Sequence, residues 1–312
     1  MNWKQTLFWS FSAAAIFYYF LLFGVFVFVG QEEMQLFIPE WWYIREFLFQ
    51  PGGFCAVAGQ WIIQYYRQPM SAVVLHTVLL VGCGFMVYRI LRCFSDKTYL
   101  LFLSLLPVLY LVKMSIHGEY LVDGTVGVVL MLLALSVSLK VRRAGSIAGY
   151  GIASTLFLCG LTGLLSVCYA FLYTLLALLR YKTSRQRLAA AACLIPALFI
   201  YLFSGWLGIP VPLSDGWMPE AYLEIQRLPH YYMYRVWTFF TLSIVGVALF
   251  ARFVPVIGEK SKWMDRVALV VCLITALVSI RFCLPEPWHA QRMMLDELSF
   301  LALSLIHISE PT

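Results

Sequence analysis

Residues 71–90 read SAVVLHTVLLVGCGFMVYRI. Across those twenty positions His76 and Arg89 are the only ionisable side chains besides Cys83 and Tyr88. A helix rises about 1.5 Å per residue, so the run covers the roughly 30 Å hydrocarbon core of a bilayer. Similar runs recur on both sides of it. Together they predict nine spans: Phe8–Val29, Ser71–Ile90, Thr98–Lys113, Leu121–Leu139, Ile147–Gly160, Gly163–Leu179, Leu188–Phe203, Val236–Phe253 and Val267–Phe282. The fold class expected is all-α, a polytopic transmembrane helix bundle.

Composition agrees with this over the whole length. Of 312 residues, 62% are hydrophobic and 12% charged, against about 25% charged in a soluble domain. A soluble globular protein, a disordered chain and a small disulfide scaffold are excluded. The formal charge of +6 does not indicate nucleic acid, because the basic residues sit in short clusters between apolar runs. With the N-terminus in the cytoplasm, 15 of the 22 Lys and Arg fall on inner segments and 7 on outer ones. That is the bias of the positive-inside rule. The acidic residues run the other way, with 13 of 16 outside. Acids do little to set topology, so this second asymmetry suggests that the outer face does the work.

The pair Ile147–Gly160 and Gly163–Leu179 is short for two crossings. Basic clusters on both flanks (Lys140, Arg142 and Arg143 before; Arg180, Lys182, Arg185 and Arg187 after) require an even number of crossings. Gly160-Leu161-Thr162-Gly163 supplies the turn. Phe8–Val29 lacks an Ala-x-Ala cleavage signal and reads as a retained span. The eight cysteines form no Cys-x-x-Cys pair, and of them only Cys55 and Cys283 would lie outside.

The first outer loop, Gly30–Pro69, has its own pattern. Pro39 can open a helix, with Glu40, Tyr43, Glu46 and Gln50 on one face and Trp41, Trp42, Ile44, Leu48 and Phe49 covering the rest. Pro51-Gly52-Gly53 breaks the chain. A second helix places Gln60, Gln64 and Gln68 on one face, opposite Val57, Trp61 and Tyr65. Two amphipathic helices lying in the interface, within residues 31–69, are expected. Trp41 and its neighbours fit an interfacial aromatic belt, with a carbohydrate-stacking platform as the rival reading.

Glu32 and Glu33 stand where the first span ends. Paired carboxylates can split their proton affinities, so one of them can serve as a general base or a metal ligand. Asp215 and Glu220 in the third outer loop, with Gln35 and Trp41 in the first, complete the candidate site: Glu32 and Glu33 as catalytic groups, the other four as substrate-binding ones. His117, Glu119 and Asp123 form the second outer loop's polar group, and His76 is a lone ionisable residue inside a span. No Walker loop, dinucleotide fingerprint or His-Glu-x-x-His motif is present, and no cofactor is evident, although a divalent metal is compatible with the carboxylates.

Glu32-Glu33-Met34-Gln35-Leu36-Phe37, Gln50-Pro51-Gly52-Gly53 and Gln64-Tyr65-Tyr66-Arg67-Gln68-Pro69 resemble the pattern of a bacterial multi-pass family, domain-of-unknown-function family 6057. Glu33 stands where that family usually has Gln. Members look longer, with a water-soluble helical region after the last span. The resemblance therefore divides the chain into a membrane domain over 1–283 and the start of a soluble region over 284–303. Residues 304–312 resemble translated adapter sequence and are set aside. The layout of the first span and outer loop is also similar to membrane glycosyltransferases that use polyprenyl-phosphate sugars. That similarity implies a carboxylate acting in this loop, here Glu32.

Three functions follow as expectations: a glycosyltransferase-like enzyme acting on a lipid-linked sugar at the periplasmic face, a non-enzymatic scaffold for envelope proteins, and a transporter. The expected setting is the bacterial inner membrane, with the N-terminus cytoplasmic and the C-terminal region periplasmic. The expected partners are the lipid bilayer and either a polyprenyl-linked sugar or envelope proteins, with no nucleic acid.

Overall fold

The computed structural model describes residues 3–34, 37–116, 120–204, 206 and 228–253, with a few single positions between 263 and 274. Among them there are only helices, turns and connecting segments. The helices are α1 (Trp3–Phe23), α2 (Val25–Met34), α3 (Trp41–Leu48), α4 (Gly53–Ile63), α5 (Pro69–Leu91), α6 (Tyr99–Leu103), α7 (Leu105–Met114), α8 (Val122–Ser138), α9 (Ala144–Thr162), α10 (Leu165–Arg180), α11 (Ser184–Ala191), α12 (Leu194–Leu202) and α13 (Leu228–Phe253). A 3₁₀ turn, Gln64–Arg67, links α4 to α5.

Four stretches are long and apolar enough to cross a bilayer: Gln5–Phe23, Pro69–Leu91, Ala144–Thr162 and Ser184–Leu202. Tyr99–Met114, Val122–Ser138, Leu165–Arg180 and Val236–Arg252 are apolar but shorter. These eight overlap the first eight expected spans, but the first is broken: α1 ends at Phe23, and α2 begins at Val25 after a turn at Gly24, inside the expected Phe8–Val29. Of the ninth only Val267, Val270, Val271 and Ile274 are described, each helical, and residues 284–312 lie outside the described residues. The exposed surface is apolar, as suits a protein in lipid. α1 is apolar all round, yet Leu7, Phe11, Tyr18 and Leu22 are exposed. In water such a helix would have to be enclosed by others.

Short connections make neighbouring helices run in alternate directions. Gln5 Nε2 donates to the Tyr88 hydroxyl at 2.9 Å, fixing the start of α1 beside the end of α5. Phe250 near the end of α13 meets Tyr99 at the start of α6. Two further apolar stretches, expected to be continuous, are broken near a proline. Pro107 has no N–H for the Leu103 carbonyl, and α6 gives way to α7 at Ser104. Pro196 does the same to Ala192, whose carbonyl is taken by Ile195 N at 3.2 Å instead.

The turns carry the close contacts. α9 has 19 residues, about 28 Å, and is longer than the expected Ile147–Gly160, whereas α10 has 16, about 24 Å, close to the expected Gly163–Leu179. Gly163 between them has φ +61°, and Gly52 in the Pro51-Gly52-Gly53 turn has φ +85°. The two turns touch: Gly52 N donates to Gly160 O at 3.1 Å, and a Cβ on Gly52 would lie 3.4 Å from Gly163 N. The α3–α4 hairpin is thus pinned to one end of the bundle.

The hairpin departs from the expectation of two helices lying side by side in the interface. α3 behaves that way, with no buried residue and with Trp41, Trp42 and Phe49 exposed. α4 instead packs on α8 and α9 through Gly53, Cys55, Gly59 and Ile63. That stripe is neither the glutamine face nor the aromatic face. Gln64 and Gln68 fall beyond the helix. The physical reason is closeness. A Cβ on Gly59 would meet Asp123 Cβ at 2.7 Å, so glycine admits α8 where a larger residue would hold it off.

Candidate functional site

Two groups of buried polar side chains lie at the hairpin end. α2 delivers Gln31 and Glu32 in its last turn, so both acids of the expected loop pair belong to a helix. Gln31 is buried, and its Nε2 donates to Tyr120 O at 3.0 Å. This bond ties the end of α2 to the start of α8. The Gln31 Oε1 atom is buried without a partner.

Tyr120 is itself buried, and its hydroxyl accepts from Thr125 Oγ1 at 3.2 Å. Burial raises the affinity of that phenol for its proton. Asp123 lies in the first turn of α8, where the helix dipole favours a carboxylate. Its Oδ1 accepts from Gly124 N at 2.7 Å. α4 covers Asp123 from one side at Gly59, and α13 reaches the same turn through Trp237 Nε1, which donates to Gly124 O at 3.4 Å. Cys55 on α4 belongs to this group. Burial, helped by the charge of Asp123, pushes its thiol up to about 12.

A second cluster stands beside it. His76 on α5 is fully buried, with its Nε2 2.5 Å from the Tyr66 hydroxyl. Phe28 on α2 stacks flat on the imidazole at 4.3 Å, and Phe20 closes another side. His76 Nδ1 is buried without a partner. Burial also raises the Tyr66 phenol. The cluster is a polar bolt among α2, the 3₁₀ turn and α5.

Of the expected site residues, Glu32 is half-buried at the end of α2, next to Gln31. Trp41 is exposed on α3, where Trp41, Trp42, Arg45, Glu46 and Phe49 frame an open recess of about 390 Å³. Arg45 stacks over Phe49 at 5.7 Å, and Tyr43 bridges α3 to α4 by donating to Gln60 Oε1 at 3.0 Å. The side chains of Glu33 and Gln35, and all of Asp215 and Glu220, lie outside the described residues. Among the described residues no three His, Cys, Asp or Glu side chains converge as metal ligands.

The residues that sequence reasoning passed over are Gln31 and Tyr120, and Asp123 was read only as part of the second outer loop's polar group, apart from the candidate site. Their signal was weak: a glutamine and an aspartate at span boundaries look like solvated ends until another helix covers them.

The arrangement defines an all-helical protein whose apolar helices suit a bilayer, with a polar group enclosed at one end. The chain belongs to the family of unknown function DUF6057, whose model matches residues 1–299. No curated protein and no solved structure matches it.

Proposed function

We propose that the chain is a nine-span protein of the bacterial inner membrane whose hairpin end faces the periplasm. There it transfers a sugar from a polyprenyl-phosphate carrier to an acceptor. The single observation that carries this reading is the Gln31–Tyr120 bond, which places the half-buried Glu32 on an element adjoining the covered Asp123. A carboxylate held beside lipid at a helix end is suited to take the proton of an acceptor hydroxyl as it attacks the sugar. Glu32 fills that role, with Asp123 supporting the turn. Trp41 and Trp42 stand exposed where a carrier lipid or its sugar would pass. A divalent ion binding the carrier phosphate is compatible with Glu32 and Glu33 as donors. The excess of Lys and Arg on segments of the other end supports the orientation.

The test is transfer by the purified full chain, from a radiolabelled polyprenyl-phosphate sugar to extracted envelope glycan. Glu32→Gln should remove it while the variant stays monodisperse. Undiminished transfer by the variant would overturn the role of Glu32. If the wild-type chain transfers nothing and a photocrosslinker at Gln50 captures an envelope protein, the scaffold reading replaces the enzymatic one. A periplasmic reporter inserted after Gln50 should be active, and a cytosolic result would reverse the orientation.

A further inference from the structure

The end of the bundle away from the hairpin has a recess of about 260 Å³ between the last turns of α5 and α8. Arg89, Arg92, Cys93 and Asp96 line one wall, and Ser136 and Lys140 the other. Three cations therefore surround one carboxylate, and Asp96 is already engaged by Arg92 at 3.2 Å. The two helix C-termini contribute roughly half a negative charge each, which leaves the recess with a net positive charge of about one. The arginines are held by rings below them: the Arg89 guanidinium lies 5.9 Å over Phe85, and that of Arg92 lies 6.0 Å over Tyr88. Stacking of this kind keeps the planar forks at the rim, available for a phosphate.

Toward the middle of the bundle the same helical stripes turn apolar. Val78, Gly82 and Phe85 precede Arg89 on α5 at spacings of three and four, and Leu133 and Ser136 on α8 precede Lys140, which lies just beyond the helix. Val78, Phe85 and Leu133 are exposed, and a Cβ on Gly82 would meet nothing within 4 Å. A small anion would use only the basic cup. A molecule with a phosphate and hydrocarbon chains would use the cup and the stripe below it. Arg142, Arg143 and Lys182 at the same end are also exposed, but on loops rather than around this recess. They mark what ordinary topogenic charge looks like here.

We propose that the recess between α5 and α8 binds the phosphate headgroup of an anionic phospholipid, with its acyl chains against Val78, Gly82, Phe85 and Leu133. The site stands apart from the hairpin end and does not depend on the reaction proposed there.

Cys93 gives the readout, because it lines the recess and is exposed. The full chain is placed in phosphatidylcholine nanodiscs with or without phosphatidylglycerol, and alkylation of Cys93 by a charged maleimide is followed by peptide mapping. Phosphatidylglycerol should slow the alkylation, and inorganic phosphate in pure phosphatidylcholine discs should not. Arg89→Gln and Lys140→Gln should each weaken the protection roughly fivefold, while Arg142→Gln with Arg143→Gln should leave it within about twofold. Gly82→Leu, which fills the stripe and spares the cations, should also weaken it. The proposal is overturned if phosphatidylglycerol gives no protection, if inorganic phosphate protects as well, or if the loop variants lose protection equally. Should Arg89→Gln fail to fold, Lys140→Gln, at an exposed side chain, decides the same question.

Discussion

Gly52 N and Gly160 O, from turns more than a hundred residues apart in the chain, are joined by a hydrogen bond of 3.1 Å. The contact couples the break in the amphipathic hairpin to the break between α9 and α10. Each turn uses a glycine at positive φ, a backbone conformation that other residues adopt only with strain, and the two backbones meet directly.

Gly52→Ala and Gly163→Ala should each lower stability by about 1–2 kcal/mol, the cost of a left-handed residue carrying a Cβ. Gly53→Ala should be worse, because its Cβ would fall 1.7 Å from Phe47 O. Thermal unfolding of the detergent-purified variants checks the order. Gly160→Ala, whose Cβ would meet nothing within 4 Å, should match wild type.

The approach of α4 to α8 rests on Gly59. Gly59→Ala should push α4 off Asp123, with a loss of about 1–3 kcal/mol for overpacking. The displaced helix should also admit water to Asp123. Hydrogen exchange at the start of α8 should therefore rise in this variant and stay unchanged in Gly30→Ala, where there is free space.

Tyr66→Phe should leave both His76 ring nitrogens buried without a partner, at a cost of about 1–3 kcal/mol. His76→Phe should cost less when combined with Tyr66→Phe than the two single losses predict, because removing both partners removes the unmet demand. A double-mutant cycle by thermal unfolding measures the coupling, and strict additivity would count against the bolt.

Cys55, raised to about 12 by burial and by the charge of Asp123, stays a protonated thiol at pH 8. The folded state holds this proton more tightly than the unfolded chain, where a thiol titrates near about 8.5. The contribution to stability is therefore complete below about pH 8.5 and is lost as pH rises toward 12. A maleimide at pH 8 should modify Cys93 in the folded protein and Cys55 only after unfolding. Cys55→Ala should flatten the alkaline loss of stability.

Much of the architecture was readable in advance because it rests on local properties. The apolar runs gave helices, and Pro69 opens α5 at its first position, whereas the breaks near Pro107 and Pro196 fall inside stretches expected to be continuous. The exposure of α3 also agrees with its mix of aromatic side chains with Arg45 and Glu46. The reading of α4 went astray because hydropathy weights Val57, Trp61 and Tyr65, whereas the packed stripe is Gly53, Cys55, Gly59 and Ile63. Small residues carry little hydropathy but decide how near two backbones can come. Glu32 was legible as a carboxylate at a span boundary. Its neighbour Gln31 was not legible as a buried tie, because the partner, the Tyr120 carbonyl, is backbone and leaves no trace in residue type.

The sequence by itself determined that this chain is helical and apolar enough for lipid, and at which segments its charge collects. Each of those is a sum over neighbouring residues and needs no knowledge of the fold. Only the tertiary structure decided that Gly52 meets Gly163, that Asp123 lies under Gly59, that Tyr66 bonds His76, and that Arg89 and Lys140 share a recess. These pairings depend on which helix faces come into register, and that is set by the fit of glycines and rings across distant segments rather than by any property of one segment alone.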